Sequence, residues 1–355
     1  MRLRSTTIRW TAALGLGLSV GAGAVAGGGG GGSAEEVRAA SEAVHAAEAT
    51  AQSAAAPRLL VLLRDASALA VVDPVAGTVL GQVPTVNGPH EVTATPDGRL
   101  AFVASPSDGI SVIDLEAMTE MRRLDIGAGS VPHDVRFAGG RLYFTVEGYK
   151  AIGRYDPEAD AVDWLLGLGQ DGAHMMVLSR DRDTIFTANR GSDTVSIVEG
   201  AAAGPPDWRV TTVAAGGNYP EGLDLSPDGG ELWTATRRDG GVSIVDVAAK
   251  TVSQRLELDL EDPNRLAFTP DGARVLISDS ATSVVVMDAA ARTEITRFDL
   301  APNALLVRPD GAVAYAALRG DDRVAIIDLE TLEVTGEIPT GADSGPGCMF
   351  WLAGE

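Results

Sequence analysis

Short apolar runs separated by turn residues recur along the chain from about residue 57 onward, and they predict β-strands. The unit that starts at Pro89 shows the pattern. After a first strand at the proline, the segments Leu100–Ala104, Ile110–Asp114 and Met121–Ile126 each predict a further strand. The β-branched runs in the middle of the unit are typical of strands that are packed on both faces.

The unit of four strands is repeated, with copies that begin at Pro89, Pro132, Ala173, Pro220, Pro263, Pro302 and Pro346. A period of about 40 to 45 residues with four short strands in each copy is the signature of a propeller blade. The first turn of several copies reads Pro-Asp-Gly, in which proline presets φ, aspartate bonds to backbone amides and glycine takes a positive φ. These predicted hairpin turns end at Gly98, Gly229, Gly272 and Gly311.

Two of these elements, Ser226-Pro-Asp-Gly229 and Val242-Ser-Ile-Val-Asp246, resemble the YVTN-type β-propeller repeat, a family that borders on the lactonase-like and cytochrome d1-like propellers. The resemblance covers nearly all of residues 57–355, and the unit at 132–172 departs from it most. It implies the fold but no single activity, because propellers of this type have unrelated functions.

The two ends of the repeat region complement each other. The segment after Arg58 begins with a second strand, Leu59–Leu63, and lacks an inner strand, whereas Pro346–Leu352 is an inner strand with nothing after it. Pairing the two would complete a blade and remove two exposed sheet edges. We therefore predict an all-β protein, a seven-bladed β-propeller with four-stranded antiparallel blades over residues 57–355, whose C-terminal inner strand pairs with the N-terminal blade.

The N-terminus has the pattern of an export signal. Three arginines precede an apolar stretch that ends Ala24-Val-Ala26, the small-x-small pattern that signal peptidase accepts. We interpret residues 1–26 as a cleaved signal peptide and the Gly/Ala-rich residues 27–56 as a flexible or partly helical linker. An uncleaved anchor is the alternative, although four glycines make the stretch weakly apolar for a span. We expect a periplasmic or secreted monomer without a membrane span in its mature form.

The net charge and the single cysteine limit which partners and cofactors the chain can bind. The net charge is −21, and removal of the three leader arginines from 28 basic residues leaves 25 against 49 acidic ones, a net charge of −24. Such a charge argues against nucleic acid, because the protein has few cations to replace the counterions of a phosphate backbone. Cys348 is the only cysteine, so the chain has no Cys-x-x-Cys-His motif for a c-type haem.

One position of the repeat carries the best functional clue. The residue after the first residue of each copy is a histidine in the first three copies, His90, His133 and His174. In the later copies this position, which we call the slot, holds Glu221, Asn264, Asn303 and Gly347. Inner strands of a propeller surround a central channel, so the slot residues should form a ring at its mouth. We predict that His90, His133, His174 and Glu221 bind a transition metal such as Zn, Cu or Fe. The alternative is a polar, water-filled channel mouth.

Arginines form a second repeated set. Alignment of the copies on their second strands places Arg64, Arg190, Arg237 and Arg319 at one position, in loops that should lie at the same mouth. Together with Asn264 and Asn303 they suit a small anionic ligand, which arginine can hold in a bidentate fashion. The alternative is that each arginine pairs with a nearby turn acid such as Asp65 or Asp321.

Three functions are compatible with this site. The first is a binding protein that holds a metal or a ligand, or a protein partner, at the channel face. The second is a metal- or histidine-dependent hydrolase, as the lactonase-like resemblance implies, acting on a small anionic substrate. The third is a redox or cofactor-holding propeller. The predicted mature chain has no distinctive Ser-His-Asp order and no Gly-x-Ser-x-Gly motif, because the one such run, Gly17–Gly21, lies in the predicted signal peptide. Whether the chain is an enzyme stays open.

Overall fold

A computed structural model describes residues 56–354, which form seven four-stranded sheets arranged as the blades of a β-propeller. The prediction of fold class is thereby confirmed. The predicted signal peptide and almost all of the predicted linker lie outside the described residues. Within residues 56–354, no helix is long and apolar enough to cross a membrane.

Each blade runs from an innermost strand at the channel to an outermost strand at the rim of the disc. The innermost strands are β4 (Glu91–Ala94), β8 (Pro132–Ala138), β12 (Ala173–Leu178), β16 (Pro220–Leu225), β20 (Pro263–Phe268), β24 (Ala304–Val307) and β28 (Pro346–Leu352). The second strands are β1 (Arg58–Leu63), β5 (Leu100–Ser105), β9 (Arg141–Val146), β13 (Thr184–Asn189), β17 (Glu231–Thr236), β21 (Arg274–Asp279) and β25 (Val313–Leu318).

The third and fourth strands complete each blade. The third strands are β2 (Ala68–Asp73), β6 (Gly109–Asp114), β10 (Ala151–Asp156), β14 (Thr194–Glu199), β18 (Gly241–Asp246), β22 (Ser283–Asp288) and β26 (Arg323–Asp328). The outermost strands are β3 (Thr78–Pro84), β7 (Thr119–Leu124), β11 (Ala161–Gly167), β15 (Arg209–Ala214), β19 (Thr251–Glu257), β23 (Thr293–Phe298) and β27 (Glu333–Pro339). Short 3₁₀ turns, Glu147–Tyr149 and Arg319–Asp321, follow β9 and β25.

The ring closes through its two ends. Strand β28 pairs antiparallel with β1, with Leu59 opposite Trp351 and Val61 opposite Met349, and the sheet order is β28-β1-β2-β3. The blade that we call blade 1 is therefore built from both ends of the described chain, and blades 2 to 7 follow in sequence order. This closure confirms the prediction, and β1 is thereby hydrogen-bonded on both sides, to β28 and to β2.

Apolar side chains between adjacent blades form the core. One cluster joins Leu60 of blade 1 to Val92 and Val103 of blade 2, and all three side chains are almost fully buried. Second and third strands are buried on both faces, as their unbroken apolar runs predict, whereas the outermost strands alternate between exposed and buried positions. The seven interfaces hold the blades at fixed angles, so the strand ends at the channel are positioned by rigid packing.

The predicted turns have the expected hydrogen bonds. At Thr95–Gly98, the Gly98 N–H donates to the Thr95 carbonyl at 2.9 Å and glycine adopts a φ of 65°. The corresponding turn of blade 3 is different, because Gly139 and Gly140 both have positive φ and connect β8 directly to β9. That geometry is typical of a two-residue hairpin, and it explains why this copy departs from the repeat.

A hydrogen bond repeated in five blades brings two loop sets together at the mouth. The residue after the second strand donates its backbone N–H to the carbonyl of the residue two positions before the slot. In blade 3, Glu147 N–H donates to Val131 O at 3.0 Å, and in blade 4, Arg190 N–H donates to Gly172 O at 3.0 Å. Each slot residue therefore lies beside the residue that follows the second strand of its own blade. This confirms that both loop sets lie on one face of the disc.

Candidate functional site

The three slot histidines lie in a row on adjacent blades. The ring centroids of His90 and His133 are 5.1 Å apart, and those of His133 and His174 are 3.6 Å apart. His133 and His174 are buried, with 4% and 1% of their surface exposed, and His90 is half-buried. The repeat register therefore brings all three imidazoles together at the channel mouth.

Two carboxylates hold His174 from opposite sides. Its Nδ1 lies 2.5 Å from Glu147 Oε1, and its Nε2 lies 3.0 Å from Glu221 Oε1. Since each carboxylate oxygen can only accept, both ring nitrogens of His174 carry a proton in this arrangement. Burial lowers the pKa of His174, but the hydrogen bonds that it donates to Glu147 and Glu221 outweigh burial and raise the pKa above its usual value.

Glu147 was not predicted as a site residue, although the sequence held a signal for it. It follows the second strand of blade 3, at the repeat position that holds arginine in blades 1, 4, 5 and 7. A Cβ on the next residue, Gly148, would lie 1.9 Å from the carbonyl oxygen of Gly129, so the backbone passes too close for any other residue type.

His90 and His133 are neutral in this environment. Burial and the neighbouring Arg64 lower the pKa of His90 to about 4. Its Nδ1 lies 2.7 Å from Gly88 O and its Nε2 lies 2.7 Å from Arg64 Nη2, so Nδ1 donates to the carbonyl and Nε2 accepts from the guanidinium. Burial, together with the neighbouring His174, lowers the pKa of His133. The Nδ1 of His133 is buried and has no hydrogen-bond partner among the described residues.

Arg190 and Arg237 neutralise the two carboxylates. Arg190 Nη2 donates to Glu147 Oε2 at 2.9 Å, and its Nη1 lies 3.8 Å from Glu221 Oε2. Arg237 donates to Glu221 Oε1 at 3.2 Å and makes a bidentate pair with Asp262. Burial opposes ionisation of Glu221, yet His174 and the arginines lower its pKa to about 2. The carboxylates are therefore charged over the whole physiological range.

The other predicted arginines have different surroundings. Arg319 forms a bidentate pair with Asp65 of blade 1, with its Nη2 2.5 Å from Oδ1. Arg64 contacts only the neutral His90 among the described side chains. The alternative that each arginine pairs with an acid of its own turn is wrong for Arg190, Arg237 and Arg319. Each of them has a carboxylate partner from a neighbouring blade, and the second partner of Arg237, Glu221, is a slot residue.

The side-chain amide of Asn264 is hydrogen-bonded within the wall of the channel, where Asn303 contributes its backbone carbonyl. Asn264 Nδ2 donates to Asn303 O at 3.3 Å, and its Oδ1 accepts from Ser278 Oγ. Asn264 is 6% exposed and Asn303 is half-buried. The structure therefore places both residues on the ring, on the far side from the row of histidines.

A layer of charged residues lies directly below the slot ring. Arg265 of blade 6 reaches across the channel to Glu91 of blade 2, with Nη2 2.5 Å from Oε1, and Glu91 is 2% exposed. Arg136 donates to the buried Asp134 at 3.2 Å, and it keeps 43% of its side-chain surface accessible. Desolvation within the channel lowers the pKa of Arg136, but the charges of Asp134 and Glu91 outweigh it and raise the pKa above its usual value.

One group at the mouth has the donor set of a metal site. His133, Glu147 and His174 each offer a ligand atom, and these atoms lie within 4.8 Å of one another. Two of the three were predicted as metal ligands from the sequence. The other two predicted ligands flank the group, since Glu221 is hydrogen-bonded to His174 and His90 is next to His133.

Comparison with known proteins identifies the fold. No protein-family profile and no curated protein matches the sequence. Among solved structures, a protein of unknown function from Desulfotomaculum acetoxidans is similar with a TM-score of 0.68 and 12% identity, covering 84% of this chain and 99% of that one. Hydrazine synthase from Kuenenia stuttgartiensis has a TM-score of 0.64 and 21% identity, covering 76% and 94%. A candidate 6-phosphogluconolactonase from Bacteroides uniformis has a TM-score of 0.64 and 16% identity, covering 83% and 99%. At these identities the likeness concerns the propeller alone.

Proposed function

We propose that this propeller is an exported binding protein that holds a transition metal at its channel mouth, with His133, Glu147 and His174 as ligands. The observation that carries the proposal is the convergence of one donor atom from each of these side chains within 4.8 Å. Two imidazoles and one carboxylate form a ligand set used for Zn²⁺ and for other first-row metals, with positions left open for water or a ligand.

Two features of the group fit a divalent cation. The buried Nδ1 of His133 has no hydrogen-bond partner among the described residues, and a buried polar atom without a partner is costly. The short contact between His174 Nδ1 and Glu147 Oε1 encloses a proton, and a cation bound there would take its place. In that arrangement, the imidazole and the carboxylate would share a metal instead of a proton.

The surrounding residues fit the role of a supporting layer. A histidine that binds a metal through one nitrogen usually donates its other N–H to a carboxylate, and Glu221 accepts from His174 Nε2 at 3.0 Å. Arg190 fixes Glu147 through its second oxygen at 2.9 Å. On this proposal Glu221 orients a ligand, and His90 lies outside the coordinating group.

Metal analysis of the whole protein, purified without a histidine tag, tests the proposal. The protein is stripped with a chelator, loaded with Zn²⁺ or Co²⁺, and desalted before the bound metal is counted by mass spectrometry. We expect one metal ion per chain in the parent. His133→Ala, His174→Ala and Glu147→Gln should each lose most of it, because three protein ligands are the fewest that such sites normally use.

His90→Ala is the matched control, since it removes a neighbouring imidazole from the same rim while leaving the three ligands in place. It should retain full occupancy. Bound metal well below one equivalent in the loaded parent, or equal occupancy in the parent and in all three ligand variants, would refute the metal site. Loss in His90→Ala equal to that in His174→Ala would replace it with the four-residue set predicted from the sequence.

Hydrolysis of a small anionic lactone or ester is a second candidate. The observation that favours it is the neutral His133, whose buried Nδ1 has no hydrogen-bond partner among the described residues and could accept a proton from an attacking water that reaches it. The structural likeness to a candidate 6-phosphogluconolactonase suggests 6-phosphogluconolactone as the first substrate to test. Turnover that His133→Ala abolishes would support this function. If metal-loaded protein hydrolyses 6-phosphogluconolactone no faster than buffer alone does, that substrate is rejected.

A further inference from the structure

We propose that Arg64 forms an anion-binding site for a small carboxylate on the blade 1 side of the channel mouth, next to the metal site and independent of it. Three features support this site: the position of the guanidinium, the lack of a carboxylate partner among the described residues, and the distribution of charge around the mouth. Of the four arginines at this repeat position, Arg64 is the one with these features.

Arg64 completes the slot ring. The slot residue of blade 1 is Gly347, and a Cβ at this position would lie 2.9 Å from Arg64 Cδ and 3.1 Å from Cγ. The arginine stem therefore lies across the glycine, where a slot side chain would otherwise be. The Arg64 N–H donates to Gly345 O at 2.9 Å, which fixes the start of the side chain. The site is thus built by the first and last strands of the described chain.

The guanidinium of Arg64 has unused donors. Its Nη2 donates to His90 Nε2 at 2.7 Å, and its Nε is buried without a partner. Nη1 makes no hydrogen bond to any residue in the described part of the chain. Burial and the neighbouring Arg319 lower the pKa of Arg64, as expected for a cation that nearby acids do not neutralise.

The other three rim arginines differ in this respect. Each of them has a carboxylate within ion-pair distance, namely Glu147 for Arg190, Asp262 for Arg237 and Asp65 for Arg319. No carboxylate among residues 56–354 lies within 4.0 Å of the Arg64 nitrogens, as its one side-chain contact is a neutral imidazole. Arg64 therefore offers a positive charge that an external anion can neutralise.

The charges divide the mouth into two halves. On the side of blades 3 to 6, three carboxylates face two arginines and the protonated His174, so these charges balance. On the side of blade 1, Arg319 is paired with Asp65, whereas Arg64 has no carboxylate within 4.0 Å among the described residues. His90 and His133 lie between the halves, so an anion on Arg64 does not have to displace either carboxylate of the metal group.

A planar carboxylate suits this guanidinium best. Its two oxygens can accept from the Nη1 and Nη2 edge while Nη2 keeps its bond to His90, and such paired contacts are stronger and more directional than a single ionic contact. A lysine at this position would supply the charge without the paired donors. The size of the ligand is restricted on one side by the row of imidazoles.

Saturation-transfer difference NMR with acetate, at low salt and in phosphate-free buffer, tests the proposal on the whole protein stripped of metal. We expect acetate to bind the parent, and Arg64→Met to raise its dissociation constant at least about tenfold, since a hydrogen bond to a charged group contributes that much or more. Arg64→Lys should weaken binding less. Gly347→Ala, which leaves Arg64 in the chain but displaces its stem, should weaken binding as well.

Arg180→Met is the matched control, because it removes the same charge from an exposed turn between the first and second strands, on the opposite face of the disc. It should leave the acetate affinity within about twofold of the parent value. Equal affinity in Arg64→Met and the parent, or equal loss in Arg180→Met, overturns the proposal. Using metal-free protein separates the two sites, so failure of the metal proposal leaves this result unaffected. Circular dichroism confirms that each variant is folded.

Discussion

The ion pair that crosses the channel allows a quantitative prediction. Arg265 and Glu91 are 174 positions apart in sequence, yet their charged groups are 2.5 Å apart, and their side chains are only 16% and 3% exposed. Removing one partner leaves a charge buried without its counter-ion, which typically destabilises a protein by about 3–5 kcal/mol. Replacing both partners by apolar residues of similar volume often changes the stability very little.

The two single variants should differ. Glu91→Met leaves Arg265 buried with a charge that it cannot give up, so we expect the free energy of unfolding to fall by about 3–5 kcal/mol. Arg265→Met leaves Glu91, which still faces Arg136 and can take up a proton, so we expect about 2–3 kcal/mol. The double variant should lie within about 1–2 kcal/mol of the parent, which gives a coupling energy of at least about 3 kcal/mol.

The dependence on pH should change sign in one variant. In the parent, burial raises the pKa of Glu91 but Arg265 and Arg136 bring it below its usual value, so its contribution to stability is present at neutral pH and is lost at acidic pH. In Arg265→Met, burial becomes the dominant influence and the pKa of Glu91 rises. A raised pKa favours the folded state at low pH. Between pH 7 and pH 5, Arg265→Met should therefore gain stability relative to the parent.

Urea unfolding followed by circular dichroism measures these differences. Arg323→Met serves as the control, because it breaks an exposed pair with Glu337 and should cost less than about 1 kcal/mol. A double variant whose loss equals the sum of the two single losses would refute the reasoning, since it would show that neither charge depends on the other. A loss below about 1 kcal/mol in Glu91→Met would show that water in the channel solvates Arg265.

Three further predictions concern closure, the site and the core. Deletion of 346–355 should leave β1 as an open edge and produce aggregates in size-exclusion chromatography, whereas deletion of 353–355 should leave a monomer. Gly148→Ala should lower Zn²⁺ occupancy, since its Cβ would lie 1.9 Å from Gly129 O and displace Glu147; normal occupancy would contradict this account of the loop. Trp233→Ala should lower the free energy of unfolding in urea by about 3–5 kcal/mol, because the side chain is fully buried. A decrease below about 1 kcal/mol would show that neighbouring core side chains fill the cavity.

The repeat made much of the fold predictable. Blade number, strand order and closure follow from local patterns that recur at a fixed period, such as the Pro-Asp-Gly turns and the apolar third strands. The row of His90, His133 and His174 was predictable for the same reason, since equivalent positions of a repeat occupy equivalent places in space. The periodicity of the sequence was thus sufficient to predict the fold and the location of the slot residues at the channel mouth.

Contacts between blades were not predictable in this way. Arg319 pairs with Asp65 and Arg237 with Asp262, and these choices depend on the angle between neighbouring blades. Glu147 occupies a repeat position that holds arginine in four other blades. Its importance depends on its distance to His174, and the spacing of residues in the sequence does not reveal that distance. The parts of the site that sequence reasoning missed are those that depend on three-dimensional proximity alone.

The closure of blade 1 also determines when the mouth can form during biosynthesis. Arg64 lies over Gly347, so the proposed anion site needs β28, the last of the described strands to be synthesised. Until β28 pairs with β1, the nascent chain has an open sheet and an incomplete rim. The order of strands thus delays anion binding until the ring has closed.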